Sequence, residues 1–205
     1  MKVFKHILLT ISALGFVANT SAQAPIFSMF DYSAKVGMSI SKLSTTDSRL
    51  AFYIGGAAEY YLDEVLSVQP ELIITGQGGR TKLKAEGAST VTSTRLTYLD
   101  IPVLLKVAPM PGKGLSFEAG PMMGFCVGGK VRNKTTLDSS TNTIKESIYN
   151  NVNKMQFGLC LGASYVIDNN IGAQFRYNHG LTNVVKSAND KVANSSFEIG
   201  AFYLF

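Results

Sequence analysis

S-F-E-I-G-A-F-Y-L-F, Ser196 to Phe205, sends Phe197, Ile199, Ala201, Tyr203 and Phe205 to one face of an extended chain, and Ser196, Glu198 and Gly200 to the other. Successive side chains of a strand point to opposite faces, so this is a period-two pattern. Two settings suit it. One is the edge of a soluble antiparallel sheet, with the apolar face against a core. The other is the closing strand of a barrel, with the apolar face toward lipid. In the second setting Tyr203 and Phe205 are expected to form a C-terminal insertion signal read by the barrel-assembly machinery.

The same alternation recurs upstream. Tyr32, Ala34, Val36, Met38 and Ile40 oppose Ser33, Lys35, Gly37, Ser39 and Ser41. Phe52, Ile54, Gly56, Ala58 and Tyr60 oppose Tyr53, Gly55, Ala57, Glu59 and Tyr61, and Asp63-Glu64 then turns the chain. Leu66 to Gln77 makes a third strand, in which Pro70 predicts a bulge or a local break because it has no N–H for the ladder. Thr97 to Val107 is a fourth strand and Leu115 to Val127 a fifth. A sixth starts at Met155, a seventh at Ile171, and Ser196 to Phe205 is the eighth. The polar stretches Gly78 to Arg95 and Gly128 to Asn153 read as long loops, and Pro109 to Gly114 and Asp168 to Asn170 as short turns. Strands of about ten residues suffice to cross a bilayer when tilted. Short turns alternating with long polar loops predict an all-β, eight-stranded antiparallel up-and-down transmembrane barrel.

Composition agrees. Only 16% of residues are charged, against roughly 25% in an average soluble protein. Lys2 and Lys5 precede an apolar run from Ile7 to Ala18 and the small residues Thr20-Ser21-Ala22, the pattern of a cleaved signal peptide over residues 1–22. Residues 23–205 are then one barrel domain. Loss of Lys2 and Lys5 lowers the formal charge from +5 by two, too weak a balance to argue for nucleic acid. The expected location is the bacterial outer membrane.

The inward face carries the most informative residues. Lys35, Glu59, Glu71, Asp100, Lys106, Glu118, Arg176 and Glu198 all fall there. The interior of an eight-stranded barrel is about wide enough for side chains to fill. Charges enclosed there must pair or stay hydrated. They therefore read as a lumen charge network that plugs the barrel, with a narrow ion path as the alternative. Cys126 and Cys160 are both inward on neighbouring strands, so a disulfide and two buried thiols are both open. His179, the only histidine after the leader, reads as a rim residue at a loop start with Thr182 as its nearest hydroxyl neighbour, a poor basis for a hydrolase. No spacing suggests a metal or cofactor site, and no catalytic residue is expected. Lys42, Arg49, Arg80, Lys82, Lys84, Lys130, Arg132, Lys134, Lys145, Lys186 and Lys191 line the long loops, either as a solvated rim or as partners for phosphates of lipopolysaccharide.

The block Y-L-D-I-P-V-L-L-K-V, Tyr98 to Val107, resembles a hallmark of the Bacteroidetes outer-membrane β-barrel family, whose members are often called porin-family or PorT-like proteins. Ser67 to Leu72 (S-V-Q-P-E-L), Phe117 to Pro121 (F-E-A-G-P) and Tyr177 to Asn183 (Y-N-H-G-L-T-N) are similar to further blocks of it. The resemblance implies a small barrel of the OmpA/OmpX type, and it implies little about activity, because one architecture carries many functions. The expectation is a structural or interaction protein rather than an enzyme, with outer-membrane lipid, lipopolysaccharide and an envelope protein as partners. A narrow porin-like channel for ions or small solutes is the alternative.

Overall fold

Alternation dictates where each side chain points, and strand pairing dictates how the apolar faces join. The computed structural model describes residues 29–43, 46–85, 88–110, 114–137, 140–148, 152–168, 170–183 and 193–205. The expected leader, residues 1–22, and the loop cations Lys186 and Lys191 lie outside the described residues. Among the described residues nine strands run in order: β1 (Asp31–Leu43), β2 (Arg49–Tyr61), β3 (Leu66–Ala85), β4 (Ala88–Val107), β5 (Leu115–Leu137), β6 (Ser140–Ser147), β7 (Met155–Asp168), β8 (Ile171–Gly180) and β9 (Asn194–Leu204). Each pairs antiparallel with its neighbour, β5 continues to β7, and β9 returns to β1. Eight strands thus close a ring, and β6 pairs with the far half of β5 outside it.

The faces are inverted relative to a soluble protein. Phe52 is 69% exposed, and Ile54, Phe117, Leu161, Phe175 and Ile199 are likewise exposed on the outside of the ring. Lys35, Glu71, Gln77, Glu118, Gln174 and Arg176 are buried on the inside. In water this arrangement would leave much aliphatic surface wet. In a bilayer the same surface meets hydrocarbon, and ring closure pairs the backbone groups that lipid cannot solvate.

The seam between β1 and β9 runs unbroken from Ser33–Leu204 to Leu43–Asn194. Gly37 and Gly200 face each other at its middle, and a Cβ on either would run into the Tyr53 hydroxyl and the opposite backbone. The two glycines therefore let a large inward aromatic lie across the seam. Tyr53 is fixed there by Gln174 Nε2, which donates to its hydroxyl at 2.8 Å.

Several expectations change. The stretch 78–95 is not a loop: β3 runs on to Ala85 and β4 starts at Ala88, so the hairpin projects well past the ring. The stretch 128–153 likewise contains the end of β5 and all of β6. Both are Thr- and Ser-rich ribbons with water on each face, so no apolar alternation marks them, although Thr favours strands. At Pro70 the pairing to β2 is interrupted between Ala57–Glu71 and Tyr60–Val68 with no change of register. This is the local break without a bulge. Register shifts instead at Thr97/Tyr98 between β4 and β5 and at Val166/Asp168 between β7 and β8.

Substitution at the seam reads out its packing. Gly200→Ala should lower stability in detergent micelles by about 1–3 kcal/mol, the usual cost of overpacking, measured by urea unfolding. Adding Tyr53→Phe should recover only part of it, because the Val36 carbonyl also opposes the new Cβ.

Candidate functional site: the charged lumen

Eight ionisable residues on seven strands meet inside the ring because each occupies an inward position of its strand. Arg176 on β8 is the hub and is 2% exposed. Its Nη1 donates to Glu71 Oε2 at 2.7 Å and its Nη2 to Glu71 Oε1 at 3.0 Å, a two-pronged grip on a β3 carboxylate. Its Nε donates to Glu118 Oε1 on β5 at 2.8 Å, and its Nη2 stands 2.6 Å from the same oxygen. Lys35 Nζ on β1 donates to Glu71 Oε1 at 2.6 Å. Two cations thus face two carboxylates, and the cluster carries no net charge. The planar guanidinium suits this role, since its forked donors match carboxylate oxygens.

A second pair lies toward the short-turn end. Lys106 Nζ donates to Glu59 Oε2 at 2.6 Å and to Gln69 Oε1 at 3.2 Å, while Ser67 Oγ donates to Glu59 Oε1 at 2.5 Å. Gln69 joins the two clusters, because its Nε2 donates to Glu71 Oε1 at 2.5 Å. Asp100 belongs to neither. It accepts from Gln77 Nε2 at 3.0 Å and Gln156 Nε2 at 3.1 Å, and Gln77 Oε1 in turn accepts from Asn194 Nδ2 at 2.7 Å. Glu198 is directly paired with Arg176 in the β8–β9 register, on the same inward face, and is buried.

Sequence alone does not single out the amides Gln69, Gln77, Gln156 and Asn194. Alternation marks Gln69, Gln77 and Gln156 as inward. Their uncharged side chains give no further signal that they are the links between charged groups.

Toward the long-loop end the lumen turns apolar. Leu96, Tyr98 and Cys126 pack with Val152 and Ile148 in a buried cluster. Val152 belongs to the segment after β6, and the Cys126 amide donates to the Lys154 carbonyl at 2.7 Å. At the opposite end Phe202 lies inside the ring with its face 5.9 Å from Lys35 Nζ. Below it opens a hollow of about 330 Å³ bounded by Glu59, Ser67, Lys106 and Phe202.

Cys126 and Cys160 are both buried and free. Cys160 pairs with Gly120 across β5–β7, six residues from Cys126, which is about 20 Å along a strand. A bridge is geometrically closed to them. His179 also differs from expectation. It sits within β8, exposed on the outer face, and its near hydroxyls are Ser195 Oγ at 3.1 Å and Tyr177 Oη at 3.3 Å. Thr182 Oγ1 instead accepts from the Phe157 amide at 3.0 Å. Tyr203 and Phe205 lie exposed at the short-turn end with their rings edge to face at 5.5 Å. Among the described residues no group of His, Cys, Asp and Glu has the arrangement of a metal site.

Comparison with known proteins returns no match among curated sequences. Among solved structures the chain is similar to Neisserial surface protein A, with a TM-score of 0.51 at 14% identity over 86% of this chain and 97% of that one. It is also similar to Ail of Yersinia pestis in complex with the heparin analogue sucrose octasulfate (TM-score 0.48, 15% identity, 86% and 97% covered) and to OprG from Pseudomonas aeruginosa (TM-score 0.39, 14% identity, 86% and 96% covered). At these identities the likeness to the Neisserial protein is one of fold. The model of the outer membrane protein beta-barrel domain matches residues 18–186, and the chain, an eight-strand ring with a greasy outside and a charged inside, belongs to that family of the outer membrane.

Proposed function

We propose that the chain is an integral outer-membrane barrel with a sealed lumen, acting through its outer surface and its long-loop end rather than by passing solutes. The observation that carries this reading is Arg176, clamped between Glu71 and Glu118 in the middle of the ring. Ions that enter a narrow interior need exchangeable ligands, whereas here Lys35, Lys106 and Arg176 are each already held by a carboxylate. The apolar cluster of Leu96, Tyr98, Cys126 and Val152 adds a second barrier on the long-loop side.

The reading extends to the rest of the chain. Residues 1–22 serve as a signal peptide that is removed, and 23–205 as the barrel. The short turns face the periplasm and the long ribbons face outward, as in other small barrels. Tyr203 and Phe205 supply the C-terminal insertion signal that the barrel-assembly machinery reads. The basic outer ribbons contact lipopolysaccharide or an envelope partner. The resemblance to Bacteroidetes porin-family and PorT-like barrels accords with such a role. No residue of the lumen acts as a catalyst: Glu59, Glu71 and Glu118 are held by cations and Asp100 by two glutamine amides, and His179 lies outside with no carboxylate orienting it among the described residues.

A narrow channel is the second reading. Ser39 Oγ, Thr75 Oγ1, Gln174 Oε1 and Asn178 Oδ1 are buried without a protein partner. Buried polar atoms of that kind are ordinarily met by ordered water. A chain of water across such groups is what a proton or small-ion path would use.

Planar-bilayer recording separates the two readings. The purified barrel should stay silent even in electrolyte of about 1 M, where charges are screened beyond about 3 Å. Steady unitary steps from the wild-type chain would replace the sealed reading with the channel. Arg176→Ala should cost about 3–5 kcal/mol of stability in urea unfolding, because it leaves Glu71 and Glu118 buried and short of a cation. The neutral quadruple variant Arg176→Met/Lys35→Met/Glu71→Gln/Glu118→Gln, which also removes the cation that Glu71 would leave unpaired, should recover most of that loss, which a purely steric role for Arg176 would not allow.

A further inference from the structure

The period-two rule that fixes the lipid-facing residues of β3, β4 and β5 also fixes the outer face of the same strands beyond the bilayer. Ile74, Leu99 and Phe125 form one outward row by direct pairing. The next row is Gly76, Thr97 and Gly128, and the next Gly78, Arg95 and Lys130. Beyond it come Arg80, Ser93 and Arg132, then Lys82, Val91 and Lys134. Within four residues of β4 (Leu99 to Arg95), five of β5 (Phe125 to Lys130) and six of β3 (Ile74 to Arg80) the outer wall changes from aliphatic to cationic, over roughly 13–20 Å. Just below this cationic zone Leu50, Phe52 and Ile54 of β2 and Ile74 of β3 present exposed aliphatic and aromatic side chains.

Above them is a hollow of about 420 Å³ lined by Ser48, Arg49, Leu50, Arg80, Val91, Ser93, Arg95, Arg132 and Lys134. Four guanidinium groups and one ammonium share its wall, and no carboxylate lines it. Arg49 is anchored by its Nη1, which donates to the Gln77 carbonyl at 3.2 Å. Among the described residues none of Arg80, Arg95, Arg132 and Lys134 is in an ion pair. The neighbouring acid, Asp47, engages Arg80 through backbone hydrogen bonds at 2.7 and 3.1 Å. The inside of the same barrel pairs Lys35, Lys106 and Arg176 with carboxylates, so the outer cluster is not the general habit of this chain. Like charges converging on one hollow of a hydrogen-bonded ribbon repel unless an anion lies between them.

We propose that this hollow binds the phosphate groups of a doubly phosphorylated glycolipid headgroup of the outer leaflet, whose acyl chains lie on the exposed Leu50, Phe52 and Ile54 below it. Terminal phosphate groups are the shared chemistry of such a headgroup and of soluble polyphosphates. The site faces outward and sits directly above the aliphatic band, which favours the lipid. Arg is suited to the task because its planar donors grip phosphate oxygens in pairs. The inference deepens the outer-surface role proposed above and rests on it for orientation only.

The test uses the mature chain in detergent micelles, with bound lipid counted by native mass spectrometry. The probes are bis-phosphorylated lipid A, its monophosphoryl form and inorganic pyrophosphate. The wild-type barrel should retain bis-phosphorylated lipid A at least ~10-fold more tightly than the monophosphoryl form, about the factor one charge-assisted contact supplies. Arg80→Ala/Arg95→Ala/Arg132→Ala should lose that preference, and the matching triple lysine variant should keep part of it. Pyrophosphate in excess should fail to displace the lipid. Heat-modifiable gel mobility reports folding, and Arg132→Glu alone is the fallback if the triple variant does not fold. Retention of the lipid by the triple alanine variant, or by Arg132→Glu in its place, within twofold of wild type would overturn the proposal. Full displacement by pyrophosphate would overturn the lipid assignment in favour of a soluble polyanion. Neither result bears on bilayer conductance, which alone decides the sealed lumen.

Discussion

Every backbone N–H and C=O that enters hydrocarbon must be paired within the protein, and for strands only closure achieves this. The β1–β9 seam is where this chain meets the requirement. Its eleven successive pairs leave no free edge between the two strands. Once the ring is shut, inside and outside are defined for every residue, and the rest of the molecule is built on that division. The outer positions can be as greasy as the bilayer. The inner positions are removed from bulk water without being given to lipid, so they tolerate charge only if it is balanced. Gly37 and Gly200 show how closely the two demands are met, since side-chain-free positions at the seam make room for Tyr53 inside.

Charge inside the lumen is met pair by pair rather than in sum: three cations face five carboxylates, and Asp100 is held by amides alone. Lys35 and Arg176 offset Glu71 and Glu118, and Lys106 offsets Glu59, each within hydrogen-bonding distance. Five strands are tied across the ring by the first of these clusters and Gln69: β1, β3, β5 and β8 directly, and β4 through Lys106. Such cross-links oppose shear between strands that otherwise share only ladder bonds. A buried ion pair is weak evidence for stability by itself, because desolvation offsets much of its attraction. Its stronger effect here is on register: a slip of one residue in β8 would send Arg176 to the lipid face.

Alternation makes most of this legible in the sequence. Phe197, Ile199 and Tyr203 against Ser196 and Glu198 is enough to define a wall, and the same rule puts all eight ionisable residues inside. What it cannot show is partners. Arg176 and Glu71 are 105 residues apart, and only the order of strands around the ring brings them together. The same holds for Cys126 and Cys160, whose neighbouring strands suggest proximity while the register separates them. The ribbons of β3–β4 and β5–β6 look like loops in sequence because the hydrophobic signal of a strand comes from having one face out of water. Thr90, Thr92 and Thr94 alternate with Ser89, Val91 and Ser93 in β4 with nothing to distinguish wet from dry. His179 looks like a loop start for a related reason: β8 continues past the band in which its outer residues are aliphatic.

Those continuations carry a physical consequence of their own. A strand that leaves the bilayer without ending keeps its facing, so its outer column records the polarity profile of the medium it passes through. On β3 that column reads Leu72, Ile74, Gly76, Gly78, Arg80, Lys82: hydrocarbon, then two residues without side chains, then positive charge. The positive-φ conformation at Gly78 (φ 136°), which side-chain-bearing residues rarely adopt, falls at the change from hydrocarbon to charge. On β5 the column makes the same passage, with the register shift against Thr97/Tyr98 falling at the same height. Bulges bend strands and re-aim their side chains. A cationic face of this kind needs rigid support, because repelling side chains on a free loop would simply spread apart. The extension of the sheet beyond the ring supplies that support, and it is why the basic residues of these ribbons act as a surface rather than as a scatter of charges.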